Sequence, residues 1–279
     1  MTTHIQRNRS LGTTMQAEQS SDLLIENPRP FIVRLTFNRP NRSNAFNTEL
    51  ARGLMTYFEA LSLDPKDTRC IILTGAGQRA FCAGADLKER DGMSDHDWER
   101  QHLVFERMIR AIVNCPIPII AAVNGAAYAG GCEIACATDF IYAADTAAFA
   151  QTETRIGIIP GAGGTQTLSR AIGERRAKEL ILSAEPFSAI DAQAWGLVNA
   201  LFSPEELQEG ALRKAELIAA NAPIAVRQAK QAIYRGGQMS LSDGLAFEIE
   251  AYNRTVQSED RREGVRAFNE KRAPDFKGK

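Results

Sequence analysis

From Ala111 to Thr154 the chain carries no Lys and no Arg, although 33 of its 279 residues are basic. The run is rich in alanine and glycine, and two glutamates, Glu133 and Glu153, stand in it with no cation close by in sequence. An ionised carboxylate buried without a partner costs several kcal/mol or more, and such groups tend to bind a proton instead. The two acids therefore either face water or are held by the fold for a purpose. A membrane span does not explain the run. Its longest apolar stretch, "IPIIAAVNGAAYAGG", is broken by Pro118, Asn124 and several glycines, short of the ~20 residues a bilayer requires.

Other bulk properties narrow the class. Hydrophobic residues make up 44% of the chain, enough for a sizeable core. The formal net charge is -1, so no basic field favours nucleic acid or an anionic membrane. Cys70, Cys82, Cys115, Cys132 and Cys136 are odd in number and scattered through apolar runs, which suits free buried thiols in a reducing compartment. These features predict a cytoplasmic protein. The first residues, "MTTHIQRNRSLGTTMQAEQSSD", are polar, with Arg7 and Arg9 before any acid. Two readings stand for them, an organellar targeting segment and a disordered extension over residues 1–21. The missing amphipathic stripe favours the extension.

Strand and helix signals alternate after that. "FIVRLTF" is β-branched and aromatic, as in a strand. Asn47 is a candidate N-cap for a helix with Leu50, Leu54, Phe58 and Leu61 on one face. "CIILTGAG" reads as a strand, a second helix carries Trp98, Phe105, Met108 and Ile112, and "IPIIAAV" reads as another strand. This alternation predicts an α/β architecture over residues 22–205. From Pro204 onward only helical patterns remain, so residues 206–279 are expected to form a helical module.

Several chemistries find no support. Gly75, Gly77 and Ala80 follow a strand as in a dinucleotide fingerprint, but "FCAGAD" does not continue as the required helix. "PGAGGTQ" lacks the lysine of a phosphate-binding loop and reads as a tight turn feeding a helix. No G-x-S-x-G occurs, and His4, His96 and His102 lie away from any such serine, the last two flanking a helix that reads as surface. Cys132 and Cys136 stand one helical turn apart without partners to complete a metal site.

Backbone donors and carboxylates remain. "FCAGADLKER" and "YAGGCE" each set small residues before a helical pattern, leaving backbone N–H groups open to approach. Two such groups can hold a developing oxyanion. Each glycine stretch alone also fits mere close packing, and only in combination with Glu133 and Glu153 does a site become the better reading.

"NRPNRSNAFN", "FCAGADLKER", "NGAAYAGGCEIA" and "TETRIGIIPGAGGTQ" together resemble the successive signatures of the crotonase, or enoyl-CoA hydratase/isomerase, superfamily. The resemblance runs from about Leu24 to the C-terminus and implies a spiral of ββα repeats with a C-terminal helical trimerisation module, assembled as trimers or hexamers. It implies that the amides of Ala85 and Gly130 form an oxyanion hole for an acyl-CoA thioester, and that Glu133 and Glu153 are the catalytic acids. By the same resemblance Arg42, Asn44, Ala45, Asp86, Leu87 and Lys88 line the substrate path beside Ala85 and Gly130. Coenzyme A is then part of the substrate, and no metal or redox cofactor is implied. One departure is Ala129, where many members carry a further glycine.

Hydration of a trans-2-enoyl-CoA is the activity the paired glutamates favour. Methylglutaconyl-CoA hydration is an alternative, with Arg155 either meeting an extra substrate carboxylate or forming a surface ion pair. Isomerisation or thioester hydrolysis on the same scaffold, and an RNA- or partner-binding role without catalysis, are the further alternatives.

Overall fold

The structure, a computed structural model, describes residues 22–279, so the polar extension expected over 1–21 lies outside the described residues. β1 (Leu23–Arg29) and β2 (Ile32–Phe37) pair as an antiparallel hairpin. α1 (Thr48–Leu63) starts where expected, with the Leu50 N–H donating to the Asn47 side chain at 2.9 Å. Its Leu50, Leu54, Phe58 and Leu61 are all buried.

A unit of two strands and a helical segment then recurs. β3 (Cys70–Gly75) and β4 (Ala80–Cys82) lead into the short α2 (Leu87–Arg90) and the long α3 (Asp95–Asn114). β5 (Ile119–Val123) and β6 (Ala126–Tyr128) lead into α4 (Gly130–Cys136). β7 (Phe140–Ala144) and β8 (Ala148–Ala150) precede α5 (Gly164–Ile172) and α6 (Glu174–Ser183). β9 (Phe187–Ser188), α7 (Ala189–Ala194) and β10 (Ala200–Phe202) close the series. The first strand of each of the three units joins one sheet, ordered β1-β2-β3-β5-β7-β10, and the second joins another, ordered β4-β6-β8-β9. Beyond the first hairpin the large sheet is parallel throughout. Every residue of β3 and β5 is buried, as strands covered on both faces require. The chain therefore winds as a ββα spiral.

Glycine makes the turns of the spiral close enough. A methyl on Gly131 would sit 1.9 Å from the Cys82 carbonyl oxygen, so only a glycine lets α4 approach the end of β4. That contact brings the start of α4 beside the loop from Ala83 to Ala85.

Four helices follow: α8 (Leu207–Ala219), α9 (Pro223–Gly236), α10 (Leu241–Val256) and α11 (Glu259–Asn269). α8 buries Leu207, Ala211 and Ala215 in the core of the spiral itself. α9 and α10 instead leave Ile233, Leu241, Leu245, Ile249 and Tyr252 exposed. The chain end folds back onto α11, where Asp260 accepts from the Lys277 and Gly278 amides at 2.6 and 2.9 Å. The five cysteines are free, four of them buried and Cys136 half-buried. Among the described residues no helix is long and apolar enough to cross a membrane.

Candidate active site

A cavity of about 970 Å³ opens between the loop after β4, the start of α4, the inner face of α3 and the segment from Thr152 to Ala162. Ala85, Leu87, Gly130, Glu133 and Glu153 all line it. Residues far apart in sequence meet there because each turn of the spiral ends at the same edge.

Two backbone amides are presented to this space. The Phe46 N–H donates to the Gly84 carbonyl at 2.9 Å and the Asp86 N–H to the Phe46 carbonyl at 2.8 Å. This single parallel bridge uses the residues on either side of Ala85, so the Ala85 N–H points away from it. Gly130 is the first residue of α4, and a first-turn amide has no acceptor within its own helix. The two amides are neighbours: a methyl on Gly130 would lie 3.6 Å from the Ala85 nitrogen. Gly84, at φ 95°, permits the approach, since a methyl there would stand 3.1 Å from the Gly130 nitrogen. Ala129 holds φ 49° and ψ -124°, a conformation that glycine adopts far more easily.

The carboxylates differ in their surroundings. Glu133 is buried, and its Oε1 accepts the Ala162 and Gly164 amides, both at 2.8 Å. Burial raises its proton affinity, and the two amide bonds work against that rise. Glu153, in a 3-10 turn (Glu153–Ile156), is buried as well. Burial first, and the charge of Glu133 second, push its pKa up to about 7. With its amide nitrogen turned toward Glu153, the buried Gln151 donates to both carboxylate oxygens, at 3.1 and 3.2 Å. No ion pair involves either glutamate among the described residues, so the cation-free run leaves both acids inclined to keep a proton.

The remaining predicted residues are distributed differently. Asn44 is buried and does not line the cavity; its Nδ2 donates to the Ala76 and Ala80 carbonyls at 2.9 and 2.7 Å, and its Oδ1 accepts the Arg39 amide at 3.0 Å. Its side chain is thus spent on joining the loop before α1 to the β3–β4 crossover. Asp86 pairs with Arg39 at 2.9 Å and caps α2 through the Lys88 amide at 3.1 Å. Arg42 and Lys88 are exposed, and Ala45 is half-buried. Arg155 is exposed between the lining residues Thr154 and Ile156, does not itself line the cavity, and makes no ion pair among the described residues, so the surface ion pair is not seen.

Three lining or supporting residues were not singled out from sequence. Gln151 reaches Glu153, and a helical or strand period gives no sign of it. His102 lines the cavity with its ring against Gly161, rather than flanking a surface helix as its polar neighbours suggest. Arg90 ends the "DLKER" motif buried under Trp98, one signal being its spacing from the aromatic stripe of α3.

The chain belongs to the enoyl-CoA hydratase/isomerase family, whose profile matches residues 30–279. It is 43% identical over 244 residues to a putative enoyl-CoA hydratase/isomerase of Bacillus subtilis, covering 88% of this chain and 94% of that one. It is 41% identical to a short-chain-enoyl-CoA hydratase of Clostridium acetobutylicum, over 85% of this chain and 91% of the relative. It is also 41% identical to the human mitochondrial methylglutaconyl-CoA hydratase, over 88% and 74%. A crystal structure of an enoyl-CoA hydratase from Bacillus anthracis superposes with a TM-score of 0.90 at 43% identity, covering 92% of this chain and all of that one.

Proposed function

We propose that the protein adds water across the C2–C3 double bond of a trans-2-enoyl-CoA. The observation that supports this most is the meeting of two neighbouring, open amides with two buried carboxyls in one cavity, one of them, Glu153, with its pKa pushed up to about 7. As a water oxygen bonds to C3, the π electrons move toward the thioester carbonyl, and the Ala85 and Gly130 amides stabilise the enolate oxygen. Losing one such donor costs about 10²–10³ in rate. Glu133, whose Oε1 is held by two amides, takes the proton from water. Glu153 delivers its proton to C2 as the enolate collapses. The product is a 3-hydroxyacyl-CoA, and the proton left on Glu133 returns to Glu153 through cavity water before the next turnover.

No group beyond the coenzyme A of the substrate is needed for these steps. Exposed Arg42 and Lys88 supply positive charge for its phosphates, with Ala45, Asp86 and the cavity-lining Leu87 shaping the path. The apolar side chains that α9 and α10 expose suit self-association as trimers or hexamers, which light scattering would reveal. Five unpaired thiols suit the cytoplasm.

A panel of enoyl-CoA thioesters, scored by loss of conjugated-thioester absorbance, tests the reading. Straight-chain enoyl-CoA beside methylglutaconyl-CoA resolves the acyl group. A shifted alkene or free coenzyme A would assign isomerisation or hydrolysis instead, and no melting-temperature shift with any acyl-CoA would favour a role in partner binding.

A further inference from the structure

Arg90 is a buried cation on the cavity wall that forms no ion pair among the described residues, although the charge of Glu89 acts on it. Only 8% of the residue is exposed, yet it lines the cavity. Its Nε donates to Gln101 Oε1 at 2.6 Å, and its guanidinium carbon lies 4.0 Å from the Trp98 ring centroid and 5.1 Å from that of Phe105. The plane is thereby fixed, leaving four terminal N–H donors. No ion pair or second hydrogen bond engages them among the described residues. Glu89 Oε2 accepts from the Thr48 amide and the Gln101 side chain rather than from Arg90, and Glu99, exposed where it lines the cavity, forms no ion pair with Arg90. Among the described residues no fully buried side-chain nitrogen lacks a partner, so these donors keep some accessible surface, on a residue that lines the cavity.

An aromatic wall connects this group to the amide pair. A methyl on Gly130 would meet the Phe46 ring at 2.9 Å, and Phe46 packs edge-to-face on Phe105 with centroids 4.8 Å apart. Arg90 lies at the far end of that wall, buried, whereas the coenzyme part of a thioester must lead outward. A neutral acyl tail running along Phe46 and Phe105 would leave a desolvated guanidinium without acceptors. A carboxylate at the end of the tail would receive two parallel N–H bonds from a fork already oriented by Gln101 and Trp98.

We propose that Arg90 is the specificity residue for a carboxylate at the far end of the acyl chain, so that the preferred substrates are enoyl thioesters of dicarboxylic acids. This rests on the hydration chemistry proposed for the cavity. The test compares kcat/KM for pent-2-enedioyl-CoA and neutral hex-2-enoyl-CoA, in wild type and in Arg90→Met and Arg90→Lys. Wild type is expected to favour the charged thioester, and Arg90→Met to lower the charged-to-neutral ratio by about 10- to 100-fold, with Arg90→Lys between. A wild-type preference for the neutral thioester, or an unchanged ratio in Arg90→Met, overturns the proposal. Should Arg90→Met fail to fold, calorimetry on wild type replaces it: saturated glutaryl-CoA should bind at least 10-fold more tightly than pentanoyl-CoA, and equal affinities overturn the assignment. Tighter glutaryl-CoA binding without turnover of either enoyl thioester would sustain the carboxylate site and sink the hydratase reading instead.

Discussion

Glu133 raises the proton affinity of Glu153 across a shared cavity, and the two carboxyls differ in what holds them. Two amides at 2.8 Å bind one oxygen of Glu133 and favour its anion. Glu153 has burial and a neighbouring negative charge acting on it, which together put its pKa near 7. Such a pair titrates jointly, and the hydration chemistry proposed here uses its singly protonated form with the proton on Glu153.

Activity should follow that proton. With Glu153 at about 7, kcat/KM for hydration is expected to fall as pH rises beyond neutrality. A second fall at acid pH should appear when Glu133 also takes up a proton. A rate profile flat from pH 6 to pH 9, roughly the span over which a group near 7 titrates, would contradict the assignment.

Stability should move the same way. The folded-state pKa of Glu153 is raised from 4.5 to about 7, so between those values the folded chain holds a proton that the unfolded chain has released. Folding stability is therefore lost as pH rises through this window and levels off above it. Glu153→Gln removes that loss while keeping a neutral group of similar shape. The variant should fold, melt no lower than wild type at pH 8, and hydrate about 10²–10⁴-fold more slowly. A lower melting temperature with retained turnover would make Glu153 structural.

Asn44 should affect stability rather than coenzyme affinity. Asn44→Ala removes three hydrogen bonds at a buried position with φ 55°, and should cost roughly 2–4 kcal/mol. Arg42→Ala, at an exposed site, should leave the melting temperature in place and raise KM. Thermal unfolding and kinetics on the two variants check the contrast.

The two positions that flank Gly130 at the start of α4 should respond in opposite directions. Gly131→Ala forces a methyl against the Cys82 carbonyl and should destabilise the protein by about 1–3 kcal/mol or more while displacing the Gly130 amide. Ala129→Gly relieves an unfavourable backbone conformation and should raise stability, by about 1 kcal/mol, with hydration retained. Denaturant midpoints of both variants measure this.

Much of this arrangement is legible in the sequence because it is built from local signals. The strand-helix alternation, the Asn47 cap and the "YAGGCE" and "CAGAD" turns are each encoded within a few residues. The resemblance of these motifs to one family adds the spiral and places Ala85, Gly130, Glu133 and Glu153. Asn44 shows where this stops, since a residue within a motif can serve the fold rather than the ligand, and only its three partners reveal which. His102 and Arg90 were missed for the opposite reason. His102 reads as a polar residue flanking a surface helix and Arg90 as the end of the helical pattern in "DLKER", and only the packing of α3 against the segment from 157 to 162 closes a cavity over them. Gln151 acts through one amide orientation beside Glu153, which no periodicity encodes.

The most direct test is turnover in oxygen-18 water, with neutral and ω-carboxylated enoyl-CoA thioesters and mass spectrometry of the products. The account predicts a 3-hydroxyacyl-CoA carrying one heavy oxygen at C3, with the thioester intact and the label absent in Glu153→Gln over the same time. Heavy oxygen in a released carboxylate, or an unlabelled thioester with its double bond moved, would contradict it.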